Sequence, residues 1–502
     1  MFQQILRATF VLILVAVAGT DSWGAAALAR RPYLQSVGRD RVTLMWRTST
    51  PARQAVDYTP VFDYVPGSLY DYSSAETAAS TRHELTLTGL QPGTTYRYRL
   101  REDSTVVASG DAYTFQTDAG PQDPQFAFFA TADIGEDPAS GGQQEATQAM
   151  IRRLAPRADF GLVVGDVVYP DGRSSDYDAN LMRPWADLLC NTTAWPVPGN
   201  HDWRVDPDSN FAREWSLPGN EHYYSFDYGN AHFIGLDTGD GFLYDETNQL
   251  AWLENELRTR RDATWTFVFY HFPLHTCTYK GDEPELRDKL LPILDRYHVD
   301  VVFNGHAHTY ERLYPILGLQ PVDQAQNPYY TDPHGTIYIV SGAGAKIKTG
   351  KPTTYCGPTA AFVDERIVFT QVFVEDHRAY ILTFDSFTGE VVDVVAINKS
   401  PRVAAATWAP APQRLLQNVP NPFNPSTRIP FVMAARGRAR LRVLAPDGRW
   451  IADLADGVFL AGPQQVLWDG RDARGAQVAS GGYVCELQAG GRTEAIKMTL
   501  VR

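Results

Sequence analysis

Two histidines one residue apart, His306 and His308, lie in the stretch N-G-H-A-H-T-Y-E-R at residues 304–312, directly after the apolar run 299–303. On an extended backbone, residues i and i+2 project to the same side, so the two imidazoles point together. Imidazoles are common metal ligands. The pattern predicts a metal site if other parts of the chain send ligands to the same place.

Four further stretches carry metal-binding side chains directly after apolar, strand-like runs. They are T-A-D-I-G with Asp133, G-D-V-V-Y with Asp166 and Tyr169, G-N-H-D with Asn200 and His201, and F-Y-H-F with His271. In an open α/β sheet, the residues just past the strand ends converge on one crevice. Each stretch alone is also typical of a turn or a helix cap, but their joint occurrence favours a metal centre.

The types of side chain in this set indicate the kind of ion. Carboxylates, imidazoles, an amide and a phenol, without thiolates, suit iron, manganese or zinc. Seven candidate ligands are too many for one tetrahedral zinc ion. They suit two ions that share a bridging carboxylate.

The elements that must position these ligands form an α/β domain over residues 121–398. Apolar runs predict strands, and amphipathic runs predict helices. The predicted strands are 126–130, 160–164, 232–236, 265–270, 301–303 and 337–340, and the predicted helices are 143–154, 249–257 and 285–295. Residues 30–120 show alternating strand patterns and predict a β-sandwich. Their stretch L-T-G-L-Q-P-G-T-T-Y-R-Y-R-L resembles a fibronectin type III module.

The two ends of the chain predict export. Residues 1–29 contain one basic residue, a short apolar stretch and A-L-A, which is typical of a secretory signal peptide. After a Pro/Ala-rich linker at 399–413, residues 414–502 resemble the Ig-like C-terminal domains of exported bacterial proteins, such as the flagellar hook-capping Ig domain and secretion-sorting domains. This resemblance implies sorting or surface attachment, and an inert trailing sandwich is the alternative.

Export permits disulfides among the four cysteines. Three full pairings are possible, and sequence does not choose among them. Cys277 and Cys356 both lie in predicted loops of the central domain, which favours that pair. Cys190 and Cys485 are expected to be buried thiols.

The formal net charge of −13 argues against nucleic acid as a partner, because no basic tract offsets phosphate repulsion. An acidic protein still binds a small phosphate ester where bound cations supply a local positive field.

The motifs D-x-G, G-D-x-x-Y, G-N-H-D, a histidine after the fourth strand and G-H-x-H-x-Y-E-R resemble those of the purple acid phosphatases, within the calcineurin-like metallophosphoesterases. The stretch R-R-P-Y-L-Q-S-V from Arg30 is similar to the start of the N-terminal domain of that family. Gly135 with Tyr169 is the most discriminating detail, because the wider superfamily generally has a histidine at the position of Gly135. The resemblance implies a four-layer α/β sandwich for the central domain.

The resemblance also implies a role for each ligand. A ferric ion would be held by Asp133, Asp166, Tyr169 and His308. Asp166 would bridge to a divalent ion (zinc, manganese or iron), which is held by Asn200, His271 and His306. A metal-bound hydroxide would attack phosphorus, and His201 would contact the phosphate or protonate the leaving group.

One departure from the family concerns the catalytic acid. Members commonly carry one or two histidines nine or ten residues after the fourth-motif ligand, where this chain has Lys280 and Gly281. His275 lies only four residues after His271. His275 and Lys280 are therefore further catalytic candidates, although lysine is a poorer proton donor near neutral pH.

The sequence as a whole predicts an acid phosphatase for phosphate monoesters that is secreted, periplasmic or on the cell surface, where export or attachment machinery would be a partner. Two alternatives stay open. One is a phosphodiesterase with the same metal centre. The other is a surface binding protein whose site is inactive.

Overall fold

The computed structural model describes residues 25–64, 69–154, 157–205, 207–239, 241, 243–260, 262–349, 358–400, 414–418, 420–433, 437–459 and 462–501. Within these ranges the chain forms an N-terminal β-sandwich, a central α/β domain and a C-terminal β-sandwich. The predicted multidomain fold class is confirmed. Residues 1–24 of the predicted signal peptide and 401–413 of the predicted linker lie outside the described residues.

The N-terminal domain has two facing sheets. Its strands are β1 (Leu28–Gln35), β2 (Arg41–Ala52), β3 (Gln54–Pro60), β4 (Tyr72–Ala75), β5 (Ser80–Thr88), β6 (Thr95–Glu102), β7 (Thr105–Ala108) and β8 (Thr114–Gln116). One sheet has the order β1-β2-β5 and the other β4-β3-β6-β7, with β8 paired to β6. Alternate residues of β6, among them Tyr96 and Tyr98, point into the core between the sheets, as a half-buried strand requires.

Some residues before Arg30 contact the N-terminal domain. Ala26 is buried and its N–H donates to Glu102, while Leu28 pairs with Thr48 in the β1–β2 ladder. Residues 25–29 therefore pack against the domain, and the predicted signal-peptide end at residue 29 stays a prediction.

The first sheet of the central domain has the order β11-β10-β9-β22-β23-β24-β19. The strands are β9 (Gln125–Thr131), β10 (Phe160–Val164), β11 (Thr193–Val197), β19 (Tyr329–Thr331), β22 (Val368–Glu375), β23 (Arg378–Asp385) and β24 (Val391–Asn398). The strands β9, β10 and β11 are parallel, and β22 lies antiparallel to β9. Every residue of β10 and β11 is buried, as expected of parallel strands covered on both faces.

The second sheet has the order β12-β13-β14-β15-β20-β16-β21. The strands are β12 (Tyr224–Tyr228), β13 (Ala231–Gly235), β14 (Trp265–Phe269), β15 (Val301–Asn304), β16 (Tyr310–Leu313), β20 (Ile337–Ser341) and β21 (Thr359–Val363). Strands β13, β14, β15 and β20 are parallel. The short strands β17 (Ile316–Leu317) and β18 (Gln320–Pro321) form a separate hairpin.

The two sheets pack face to face over one aromatic core, where Phe128 of the first sheet contacts Phe233 and Phe267 of the second. Helices cover the outer faces. They are α1 (Gln144–Arg153), α2 (Ser174–Tyr177), α3 (Ala186–Leu189), α4 (Pro207–Glu214), α5 (Glu246–Thr259) and α6 (Pro284–Tyr297). In α6, Leu286, Leu290 and Leu294 recur every four residues and pack on the second sheet. The result is a four-layer sandwich.

The N-terminal domain is tied to the central domain by a buried ionic network. Arg30 on β1 donates to Glu214 at the end of α4 and to Asp178, both at 2.5 Å. The Tyr33 hydroxyl donates to the Glu214 carbonyl at 2.7 Å. The R-R-P-Y stretch thus joins the two domains.

The C-terminal domain is a second β-sandwich. Its strands are β25 (Arg414–Leu415), β26 (Thr427–Met433), β27 (Gly437–Leu444), β28 (Trp450–Phe459), β29 (Gly462–Trp468), β30 (Gly481–Ala489) and β31 (Arg492–Leu500). The sheets β25-β26-β29 and β28-β27-β30-β31 enclose one core around Phe431, Leu441 and Trp468. The Ig-like assignment and the sorting role stay predictions.

Cys277 is disulfide-bonded, and Cys190 and Cys485 are free, buried thiols. Cys356, the partner that the sequence favours for Cys277, lies outside the described residues. In the part of the chain that the structure describes, no helix is long and apolar enough to cross a membrane.

Candidate metal centre

The seven predicted ligands come together where the parallel strands of both sheets end. They lie in the loops that follow β9, β10, β11, β14 and β15, and they are Asp133, Asp166, Tyr169, Asn200, His271, His306 and His308. Because the two sheets face each other, these loops meet over the edge of the shared core.

Three oxygen atoms form one half of the centre. The Tyr169 hydroxyl lies 2.7 Å from Asp133 Oδ1 and 2.8 Å from Asp166 Oδ2. His308 Nε2 adjoins the same group, 3.2 Å from Asp133 Oδ1 and 3.3 Å from the phenol oxygen. A phenol has one proton and can donate it to one carboxylate only. The cluster therefore holds more negative charge than its proton satisfies, which suits a cation.

The other half consists of His271, His306 and Asn200. His271 Nδ1 bonds the Val164 carbonyl at 2.9 Å, which fixes the ring and turns Nε2 toward Asp166 Oδ1 at 3.4 Å. His306 Nδ1 lies 3.0 Å from Asn200 Oδ1, and the His271 and His306 rings are 5.2 Å apart. Asp166 thus contacts both halves, as a bridging carboxylate would.

His271 gives the clearest sign that the site can hold a metal ion. Its Nε2 is buried and has no hydrogen-bond partner within the described part of the chain. Ligand atoms of Asp133, Asp166 and His271 all lie within 4.8 Å of one another. A buried ring nitrogen without a partner is costly, and coordination to a metal would satisfy it. The residues present therefore fit metal ions.

The pKa values of the ionisable groups in the centre are shifted by burial and by one another. Burial lowers the pKa of His271, but Asp166 and Asp133 outweigh it and raise the pKa to about 9. Burial opposes ionisation of Asp166 as well, yet His271 and His201 hold its pKa well below the usual range. A proton on His271 here balances the carboxylates, and a metal ion would take that role.

The backbone is strained where it delivers ligands. Asp133, Asp166 and His306 have φ values of +57°, +47° and +68°, in the left-handed region that residues with a Cβ rarely adopt. Each such residue costs on the order of 1–3 kcal/mol and persists where the surrounding fold enforces it. Three of the seven candidate ligands share this strain.

Two glycines allow the ligand loops to approach closely. A Cβ on Gly135 would lie 2.0 Å from the Val167 carbonyl oxygen, so the position of the superfamily histidine admits no side chain in this backbone. A Cβ on Gly199 would lie 2.4 Å from Asp166 Oδ1. Asp133, Asp166 and Tyr169 reach one another because these loops are in contact.

Asp202, the last residue of G-N-H-D, supports the loops from behind. It is buried, and its carboxylate accepts from the N–H groups of Val167, Val168 and Gly199 at 2.9–3.1 Å. Burial and the nearby Asp166 raise its pKa to about 7. Asp202 was not among the predicted site residues, although an aspartate in a glycine-containing turn commonly accepts hydrogen bonds from the backbone of its loop.

His201 lies at the edge of the centre. Its backbone N–H donates to Asp166 Oδ1 at 2.8 Å, and its Nδ1 lies 2.5 Å from the Pro170 carbonyl oxygen. The centroid of its ring lies 4.2 Å from that of Tyr169. Because Nδ1 donates to a carbonyl, Nε2 is left to face the cleft, 3.9 Å from Asp166 Oδ2. Burial lowers the pKa of the imidazole.

The other two catalytic candidates differ in placement. His275 Nδ1 pairs with Asp282 at 3.0 Å, a contact that braces its own loop. Lys280 is exposed and lies near the centre. The pKa of His306 is lowered to about 2, mainly by burial, then by the charge of His271 and then by that of Lys280. The catalytic roles of both residues stay predictions.

Lys346 lies at the centre but was not among the predicted site residues. Its Nζ lies 3.8 Å from the Tyr169 ring centroid and forms an ion pair with Glu136. Lys346 follows β20, a parallel strand that the sequence predicts at 337–340, so the rule that found the ligands would also have found this lysine.

Family models match both of the first two domains. The calcineurin-like phosphoesterase model matches residues 126–310, and the purple acid phosphatase N-terminal domain model matches residues 30–117. Neither range reaches the C-terminal sandwich. Together the two ranges span more than half of the chain.

Two curated relatives and one solved structure agree with these matches. Acid phosphatase type 7 of Mus musculus is 28% identical over 338 residues, which covers 60% of this chain and 74% of the relative. Purple acid phosphatase 21 of Arabidopsis thaliana is 27% identical over 320 residues, covering 59% and 66%. A purple acid phosphatase from yellow lupin (Lupinus luteus) seeds has a TM-score of 0.65 at 19% identity, covering 76% and 78%, and shows the shared fold.

A four-layer sandwich with oxygen and nitrogen ligands at its strand ends defines a metallophosphoesterase, a hydrolase of phosphoric esters. Such enzymes use a dinuclear metal centre. The chain belongs to the purple acid phosphatases among the calcineurin-like phosphoesterases.

Proposed function

We propose that the chain is an exported acid phosphatase that hydrolyses small phosphate monoesters at a centre of one ferric and one divalent ion, the latter zinc, manganese or iron. The observation that carries the proposal is the cluster in which the Tyr169 hydroxyl meets the carboxylates of Asp133 and Asp166. A phenolate is a hard anionic oxygen, and it favours Fe(III) over softer ions.

The contacts support a division of the ligands between two ions. The ligands of the ferric ion would be Asp133, Asp166, Tyr169 and His308, and those of the divalent ion Asp166, Asn200, His271 and His306. When bound, the two cations supply an activated water and neutralise charge on the phosphoryl oxygens.

His201 is the protein group that best fits proton transfer to the leaving oxygen. The Pro170 carbonyl holds Nδ1, so Nε2 is the atom that faces the cleft. The backbone N–H of His201 donates to Asp166 Oδ1 at 2.8 Å, which fixes the backbone of His201 beside the centre. An ester oxygen bound beside Asp166 would thus meet Nε2.

Metal analysis, a visible spectrum and two substrates test the proposal together. We expect iron plus a divalent metal, a visible absorption band that Tyr169→Phe removes, and faster hydrolysis of p-nitrophenyl phosphate than of bis-p-nitrophenyl phosphate. His201→Ala should lower turnover and keep both metals. Purified protein without iron and without activity would contradict the proposal and favour a binding role, and preference for the diester would make it a phosphodiesterase.

Export rests on two observations. Residues 1–29 have the pattern of a signal peptide, and Cys277 is disulfide-bonded, which suits an oxidising compartment. We propose that the protein is secreted, periplasmic or on the cell surface and that residues 414–502 engage the sorting or attachment machinery. Cell fractionation of the full chain, compared with a chain ending at residue 400, tests this, and equal distribution of the two would contradict a sorting role.

A further inference from the structure

Two exposed lysines from different loops share one tyrosine at the rim of the metal centre. Lys348 Nζ lies 4.9 Å from the Tyr279 ring centroid and Lys280 Nζ lies 5.9 Å from it. Lys280 belongs to the loop after β14, and Lys348 to the loop after β20. An aromatic face attracts an ammonium group, so Tyr279 holds both charges in one place.

This group adjoins a ligand of the proposed centre. The Tyr279 hydroxyl lies close to the backbone of His308, and the Lys348 N–H donates to the His308 carbonyl at 3.0 Å. The two ammonium groups therefore lie beside the position where the ester would be cleaved.

Neither lysine has an ion-pair partner within the described part of the chain. Among the described residues, no carboxylate pairs with Lys280 or Lys348, whereas Lys346 is paired with Glu136. Lysine binds phosphate as a point charge through flexible donors. In a chain of net charge −13, two unpaired ammonium groups at the mouth of the site form a local anion-binding rim.

We infer that Lys280 and Lys348 bind a second phosphate group of the substrate, so that the enzyme prefers esters that carry two phosphates. The inference rests on the proposed function, because the first phosphate must occupy the metal centre. The first phosphate would be bound by the metal centre, and the lysines beside it would bind the second.

The test compares the hydrolysis of fructose 1,6-bisphosphate and fructose 6-phosphate by phosphate release, as the ratio of their kcat/KM values. An exposed charge pair typically contributes a factor of up to roughly five, so Lys280→Gln and Lys348→Gln should each lower the ratio by roughly that factor, and the double variant by more than tenfold. Added salt should lower the ratio in the wild type and have little effect in the double variant.

Lys289→Gln is the control, since Lys289 is a partly exposed lysine on α6 that pairs with Glu246. It should leave the ratio unchanged. A wild-type ratio near one, or a double variant with the wild-type ratio, would contradict the binding of a second phosphate by the lysines. Neither result would affect the proposed phosphatase activity. If the metal-loaded wild type hydrolyses neither sugar phosphate nor p-nitrophenyl phosphate, the proposed function itself fails, and the rim with it.

Discussion

Replacement of Glu214 by glutamine is expected to weaken the joint between the first two domains. The Glu214 carboxylate is fully buried and accepts from Arg30 at 2.5 Å, from Arg47 at 2.6 Å and from the Ser174 hydroxyl. Glutamine has the same shape but no charge, and its amide group would place two donors against the donors of the guanidinium groups.

The magnitude follows from burial. Removing one partner of a buried ion pair generally destabilises by about 3–5 kcal/mol, because the remaining charge is left without compensation. Arg30 keeps its contact with Asp178 at 2.5 Å, and Arg47 is partly exposed, so we expect the lower end, about 3 kcal/mol. For domains of this size that is a fall in Tm of about 6–12 °C.

Calorimetry or urea unfolding of the full chain measures this loss, and Asp187→Asn provides the control. Asp187 also links the two domains, through Arg31 at 2.6 Å, but half of its side chain is exposed. Exposed pairs contribute about 0–1 kcal/mol, so this variant should change little. If Glu214→Gln loses no more stability than Asp187→Asn, burial is not what gives the network its strength.

Three further substitutions test other features. Gly135→Ala would place a Cβ 2.0 Å from the Val167 oxygen, and we expect a loss of about 1–3 kcal/mol together with lower metal content by elemental analysis; normal values for both would show that the loop yields without cost. Lys346→Met removes an ammonium group 3.8 Å from the ring of Tyr169, which stabilises an electron-rich phenolate, so the visible band of the iron-loaded protein should move to longer wavelength; an unmoved band contradicts this. Burial raises the pKa of Asp159 from 3.8 to about 6, so the stability it contributes below about pH 4 is lost as pH rises through 6. Asp159→Asn should therefore melt at a higher temperature than the wild type at pH 8 but not at pH 4, and an equal difference at both pH values would refute the assignment.

Much of the candidate site was predictable because the loops that follow parallel strands meet at one edge of a sheet. The apolar runs at 126–130, 160–164 and 301–303 became β9, β10 and β15 within one or two residues. Because those strands are buried on both faces, polar groups are expected in the loops at their ends, and five such loops hold the seven candidate ligands. The sequence pattern and the fold therefore agree most closely where the chemistry lies.

The parts that were not predicted depend on contacts between distant segments. No local pattern in 368–375 indicates that β22 would lie antiparallel to β9 and complete the first sheet. The pairing of Arg30 with Glu214 spans 184 positions. The contact between Tyr279 and Lys348 was also not predictable from local sequence, because it joins two loops that are distant in the chain.

The metal centre and the two lysines beside it explain how an acidic protein can bind a phosphate ester. A chain with net charge −13 repels a phosphate ester, and the buried carboxylates of Asp133 and Asp166 intensify that repulsion at the very place where the ester must bind. Those carboxylates are useful only if they hold cations, which reverse the sign of the local field. Lys280 and Lys348 extend this positive region outward without any ion. The acidity of the protein and its affinity for phosphate are then compatible, because the positive charge is confined to the few positions that touch the substrate.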